Sequence, residues 1–194
     1  MIRAAIWIVA LCGLAALALP QAVGVGDFVC ALQLNSHPYS DLTTDPRSHF
    51  HFVLLSKRDG VDTYEDWNSW GYFTRSFTGT DSQSQHFEIA RRPPLGWDRN
   101  FPSVTTLNNG QFLITDIYLC DGSWRVSPKM PISSGQKLTV VGRFKQERDE
   151  EKLRIFGNPW VGSIESVPVE LTLSEGCVTS LNSSATTSGV VFRR

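Results

Sequence analysis

From residue 27 onward apolar residues recur at every second position over short stretches, and each stretch ends in a cluster of Gly, Pro, Asn, Asp or Ser. Period two puts alternate side chains on opposite faces of a strand, so the pattern predicts an all-β domain without amphipathic helices. The first stretch is 27–34. In 49–55, Phe50, Phe52 and Leu54 share one face while His49, His51 and Val53 share the other. A turn carrying Asp59-Gly60 follows. Next come 70–78, in which Phe73 and Phe77 are predicted to face inward, and 85–91, with Phe87 and Ile89 as the buried pair. Residues 92–102 contain Pro93, Pro94, Gly96 and Pro102 and are predicted to be irregular, because proline cannot donate to a sheet ladder.

The second half repeats the arrangement. Asn108-Asn109-Gly110 signals a turn before 111–119, where Leu113, Ile117 and Leu119 lie on one face. Residues 137–145 bury Leu138, Val140 and Phe144 by the same spacing. The polar run KQERDEEK at 145–152 predicts the solvated tip of a hairpin or long loop, with a helical turn as the alternative, and 160–173 alternates at Val167, Val169, Leu171 and Leu173. About 7 to 8 strands separated by turn signals predict two packed antiparallel sheets over 27–176, an immunoglobulin-like sandwich being the default topology. Residues 177–194, rich in Ser and Thr, are predicted to be a flexible tail.

The chain opens differently. Arg3 precedes an uncharged run, 4–19, rich in Ala, Leu and Ile and short of the roughly 20 residues a membrane span needs. Small residues at Ala22, Gly24 and Gly26 complete the pattern of a secretory leader over 1–26. Export to a periplasmic or extracellular location is therefore expected, with membrane attachment only where that leader stays uncleaved. The chain has 18 basic and 19 acidic residues, and loss of Arg3 moves the net charge further below its formal −1. Such a balance gives no electrostatic case for nucleic acid, whose binding rests on neutralising phosphates.

Removal of the leader leaves Cys30, Cys120 and Cys177, an odd number open to three single pairings in an oxidising compartment. Cys30 and Cys177 lie at the two ends of the strand region, so a bridge between them is expected to staple the termini, leaving Cys120 as a small buried hydrophobe.

No motif commits the chain to a chemistry. His49 and His51 can present two imidazoles on one face, which is short of the three or four ligands of a zinc site. No metal and no cofactor is therefore expected. Ser134-Gly135-Gln136-Lys137 has the spacing of a Ser-x-x-Lys nucleophile but lacks that motif's partner sequences and falls in a turn. Asp98 and Asp121 are the best placed of the loop acids for a carboxylate pair of the kind that hydrolyses polysaccharides, at a separation of roughly 5 to 10 Å. The densest mixed segments are 96–102 and 120–125. They make Trp97, Asp98, Arg99, Asp121, Trp124 and Arg125 the candidate binding residues, since loops on a rigid scaffold usually carry recognition. Their tryptophans can stack on sugars or anchor a protein partner, or they can plug the open ends of the sandwich.

Four segments carry a resemblance: Trp67-Asn68-Ser69-Trp70-Gly71-Tyr72-Phe73, Gly96-Trp97-Asp98-Arg99-Asn100, Thr106-Leu107-Asn108-Asn109-Gly110 and Trp160-Val161-Gly162-Ser163. Together they resemble an uncharacterised family of exported bacterial β-sandwich proteins. Leu107 to Gly110, following an aromatic-rich strand, is more distantly similar to proteinase inhibitors built on immunoglobulin-like folds. The resemblance implies a small exported β-sandwich with no assigned activity. The expected function is that of a non-catalytic exported module whose loops bind a protein or polysaccharide, protease inhibition being one form of it. The alternatives are a hydrolase acting through loop carboxylates and a purely structural envelope domain.

Overall fold

The computed structural model describes residues 26–34, 50–94, 96, 103–132, 135–148, 150 and 159–183. Residues 1–25 of the expected leader lie outside them. The described elements run in the order β1 (Phe28–Leu34), β2 (Phe50–Ser56), β3 (Val61–Tyr64), β4 (Arg75–Asp81), β5 (His86–Arg91), β6 (Val104–Leu107), β7 (Phe112–Ile117), β8 (Trp124–Ser127), β9 (Gln136–Gln146), β10 (Gly162–Glu165), β11 (Val169–Leu173) and α1 (Glu175–Asn182). All pairings are antiparallel. One sheet has the order β1-β2-β7; the sheet facing it has the order β10-β9-β4-β5-β8, with β11 also on β9; β3 and β6 form a small third sheet.

The period-two reading accounts for the core. Phe50, Phe52 and Leu54 of β2, Phe77 of β4, Phe87 and Ile89 of β5 and Leu138, Val140 and Phe144 of β9 are all buried between the sheets. Ile117, Leu119, Leu171 and Leu173 join them. β9 organises the larger sheet: β4 runs along one edge, and β10 and β11 share the other in succession.

The predicted single strand over 160–173 is therefore two. The break falls at Ser166, whose N–H donates to the Gly142 carbonyl (2.8 Å) while its hydroxyl accepts from the Gly142 N–H (2.9 Å). Gly142 faces the opposite sheet, and a Cβ there would sit 2.7 Å from Leu32 and 3.1 Å from Phe52. Close approach of the sheets thus requires glycine at the centre of β9.

Three further expectations are corrected. Residues 70–73 are not strand but part of a turn built on Asn68, whose buried side-chain oxygen accepts the N–H groups of Trp70 and Gly71, each at 3.0 Å. A Cβ on Gly71 would overlap the Glu65 carbonyl at 2.1 Å, so the chain curls tightly there and Phe73 turns outward, 53% exposed. The polar run at 145–152 begins inside β9: Gln146 is buried and ties the small sheet to the large one, accepting from Tyr64 N–H (3.3 Å) and donating to the Trp160 carbonyl (2.5 Å). The expected tail starts instead as α1, with Ser174 as N-cap and Cys177, Val178 and Leu181 buried on one helical face. Residues 184–194 lie outside the described part.

The cysteine pairing is the fifth correction. Cys177 bonds to Cys120, beside the β7–β8 turn, and Cys30 remains a buried free thiol. The expected Cys30–Cys177 bridge is not formed because α1 packs on β8, which sets Cys177 beside Cys120, whereas Cys30 lies on β1 over β9, β10 and β11. Arg92 strengthens the helix dock: its guanidinium donates to the carbonyls of Trp124 (2.7 Å), Ser180 (2.8 Å) and Leu181 (3.3 Å), capping the negative end of α1. Asn182 and Met130 exchange two further hydrogen bonds, at 2.8 and 2.7 Å.

Two outcomes are expected. Gly142→Ala should lower stability by about 1–3 kcal/mol in urea titration, because the new methyl overpacks a filled interior. Burial pushes the Cys30 thiol up to about 12, so below that pH the reactive thiolate is scarce. Iodoacetamide at pH 8 should leave Cys30 unmodified in the native protein and label it after unfolding, with Cys120–Cys177 recovered as the linked peptide by mass spectrometry.

Candidate functional site

The residues singled out in the sequence land in three kinds of environment. Trp97, Asp98 and Arg99 lie outside the described residues, and with them one half of the Asp98–Asp121 carboxylate pair. Trp124, the first residue of β8, is only 2% exposed and packs on Phe77 with ring centroids 5.1 Å apart. Its ring belongs to the core and offers no open face for stacking. Arg125 points the other way, into solvent. Asp121 lies in the β7–β8 turn with Oδ1 accepting the Ser123 N–H at 2.7 Å. Desolvation pushes its carboxyl above the usual range, opposed by the Ser123 hydrogen bonds and the nearby Arg91 charge.

Trp124 and Asp121 border a cluster that the pattern of the sequence does not reveal. The Asp66 carboxylate lies 3.6 Å from Arg75 and 3.5 Å from Arg91. Arg75 is fully buried, its guanidinium 5.7 Å from the Phe52 ring centre and 5.8 Å from that of Phe144. Arg91 stands between Tyr72 (4.7 Å) and Trp124 (5.2 Å), its cross-strand neighbour on β8. Aromatic faces stabilise both cations. Burial nevertheless pulls the Arg75 pKa down, Asp66 restores part of it, and Arg91 lowers it again. One carboxylate thus serves two guanidinium groups. The cluster shuts one end of the sandwich and exposes no nucleophile beside a base.

The outer face of the β1-β2-β7 sheet is the second surface the sequence reading passed over. Its register sets Val29, Leu55 and Phe112 in one cross-strand row, Ala31, Val53 and Ile114 in the next, and Gln33, His51 and Asp116 in a polar third. Phe112 is 59% and Ile114 51% exposed. The signal was present: Phe112-Leu113-Ile114 is a continuous apolar run in which only Leu113 belongs to the inward series.

These rows end at an open edge, since among the described residues β7 pairs with β2 alone. Other edges carry devices that discourage pairing. β8 is four residues long, bears Arg125 and runs into Pro128. β10 and β11 are separated by Pro168 and carry Glu165 and Glu170, bound to Arg143 (2.7 Å) and Lys137 (2.8 Å). The open side of β1 packs against the facing sheet. The charge on β7, Asp116, is held by His51 at 2.6 Å.

That contact also engages the described member of the His49/His51 pair, and no group of three His, Cys, Asp or Glu side chains suited to a metal occurs among the described residues. Lys137 of the Ser-x-x-Lys spacing is bound to Glu170, while Ser134 lies outside the described part. A cavity of about 210 Å³ between Asp27, Arg58, Asp62, Arg148 and Trp160 has its charges engaged locally, Arg58 with Asp27 (3.2 Å) and Arg148 with Glu150 (2.6 Å).

No protein-family model, no curated protein and no solved structure matches the chain.

Asp66→Asn would remove the carboxylate that Arg75 and Arg91 share. Because the Asp66 side chain is 30% exposed, the expected loss is about 2–3 kcal/mol, below that of a fully buried pair, readable as an earlier urea midpoint.

Proposed function

We propose that the chain is an exported, non-catalytic interaction module that docks a protein partner through the outer face and open edge of the β1-β2-β7 sheet. The observation that carries this reading is the exposure of Phe112 and Ile114 on a strand that has no neighbour on its far side among the described residues. Exposed apolar side chains beside unpaired backbone groups are the ingredients of partner recognition by strand addition.

A protein fits that surface better than a polysaccharide does. Sugar binding calls for open aromatic faces, whereas Trp124 is enclosed and the Trp160 ring packs against Phe28 and Phe144. Trp67, 42% exposed, has its indole N–H bound to Glu65. A structural role within an envelope assembly would use the same edge, so it is a variant of this proposal rather than a rival. Hydrolysis by loop carboxylates has no such support.

The strand order supports the immunoglobulin-like reading of the sandwich. On that reading β1-β2-β7 would stand for A-B-E and β4-β9-β11 for C-F-G, with β5 and β8 added beyond β4. The Cys120–Cys177 bond fits an oxidising compartment, in keeping with a leader over 1–26. Among the described residues no helix is long and apolar enough to cross a membrane.

A photo-crosslinking residue at Ile114 in the exported protein should give a discrete protein adduct. The adduct should vanish in Phe112→Lys, which leaves the core untouched, while Tm stays unchanged. Labelling no stronger than at a control position such as Thr139, on the outer face of β9, would overturn the proposal.

A further inference from the structure

Taking β7 as the docking edge, as the proposed function does, we infer that its occupant is a second copy of this chain, added by antiparallel pairing of β7 with β7 about a two-fold axis at Leu113. The hydrogen-bond alternation of β7 sets the geometry. Ser56 N–H donates to the Gln111 carbonyl at 2.9 Å, so 111, 113, 115 and 117 are the positions that bond to β2. Phe112, Ile114 and Asp116 direct their N–H and C=O groups to the open side.

With the axis at Leu113, Phe112 of each copy falls opposite Ile114 of the other, and these become the hydrogen-bonded pairs of the new ladder. Each apolar row then doubles in length. Val29, Leu55 and Phe112 of one copy continue into Ile114, Val53 and Ala31 of the second, and the reciprocal row runs alongside. Asp116 falls opposite Gly110, so the polar row closes the contact at its rim. Moving the axis by one residue to Ile114 would place Phe112 against Asp116, and moving it to Phe112 would leave Ile114 opposite Gly110. The Leu113 register alone matches every exposed apolar residue of the strand with another. A two-fold contact of this kind is self-limiting, since joining the edges leaves neither open.

The result is a continuous six-stranded sheet, β1-β2-β7 followed by β7-β2-β1 of the second copy. The contact rests on about six residues of edge. It is therefore smaller than a standard interface of about 1,600 Å², and association is expected to be weak and concentration-dependent.

Sedimentation velocity of the exported, disulfide-bonded chain should show monomer at about 1 µM and a growing dimer fraction towards about 500 µM. Phe112→Lys combined with Ile114→Lys should remain monomeric at every concentration with Tm unchanged. Ile114→Pro, which removes one edge donor and keeps the site apolar, should weaken the dimer at least tenfold, whereas Glu170→Lys on the opposite sheet should leave it intact. A chain that is monomeric throughout, or a dimer that survives the double lysine variant, overturns the inference. If the monomeric protein still captures a different protein at position 114, the second copy is excluded and the docking edge stands. If neither adduct nor dimer forms, both readings fall.

Discussion

The sandwich depends on how closely its two sheets approach at Gly142. Leu32 and Phe52 occupy the space that a side chain at the middle of β9 would fill, and the neighbouring positions are matched to that spacing. Aromatic clusters flank the contact, Phe28 with Phe144 and Trp160, and Phe50 and Phe52 with Phe77 and Trp124. Their edge-to-face and tilted packing fills the wider space on either side. The same glycine anchors the bend between β10 and β11 through Ser166, so the thinnest part of the interior and the break in the outer edge are one feature.

Around this core, charge is used at the margins. Asp66, Arg75 and Arg91 close one end, where two cations lie among Phe52, Tyr72, Trp124 and Phe144. Arg92, next along the chain, projects to the opposite face and holds the carbonyl end of α1. Adjacent arginines thus serve separate purposes because strand geometry turns successive residues to opposite sides. Docked through Arg92, Asn182 and the Cys120–Cys177 bond, α1 is an integral part of the domain. The bond closes a loop of 57 residues in sequence that contains β8 to β11, worth about 4 kcal/mol if its effect is mainly to restrict the unfolded chain.

What remains outside this closed body is informative for function. Trp124, which looked like a binding platform, completes the interior, while the outer face of the smaller sheet keeps two rows of apolar side chains running to an open edge. A purely self-contained domain gains nothing from exposing Phe112 and Ile114 there. Strand addition would cover both and satisfy the main-chain groups beside them.

Local sequence pattern determined the all-β class and most of the core. Alternation at Phe50, Phe52 and Leu54, or at Leu138, Val140 and Phe144, depends only on neighbours two residues apart, and those positions are buried as the period requires. It misplaced Phe73, because a turn built on Asn68 and Gly71 draws on contacts with Glu65 and Ser103 that no local period encodes. Of the candidate binding residues it named, Trp124 proved internal, Asp121 lies in the turn before β8 and Arg125 is exposed on β8. The cysteine partner, the two-arginine cluster around Asp66 and the unpaired side of β7 were decided by tertiary structure alone. Each depends on which strands become neighbours across gaps of 25 to 65 residues, as between Asp66 and Arg91 or His51 and Asp116. Alternation specifies which face of a strand is apolar, but only the assembled sheets determine what lies beside it.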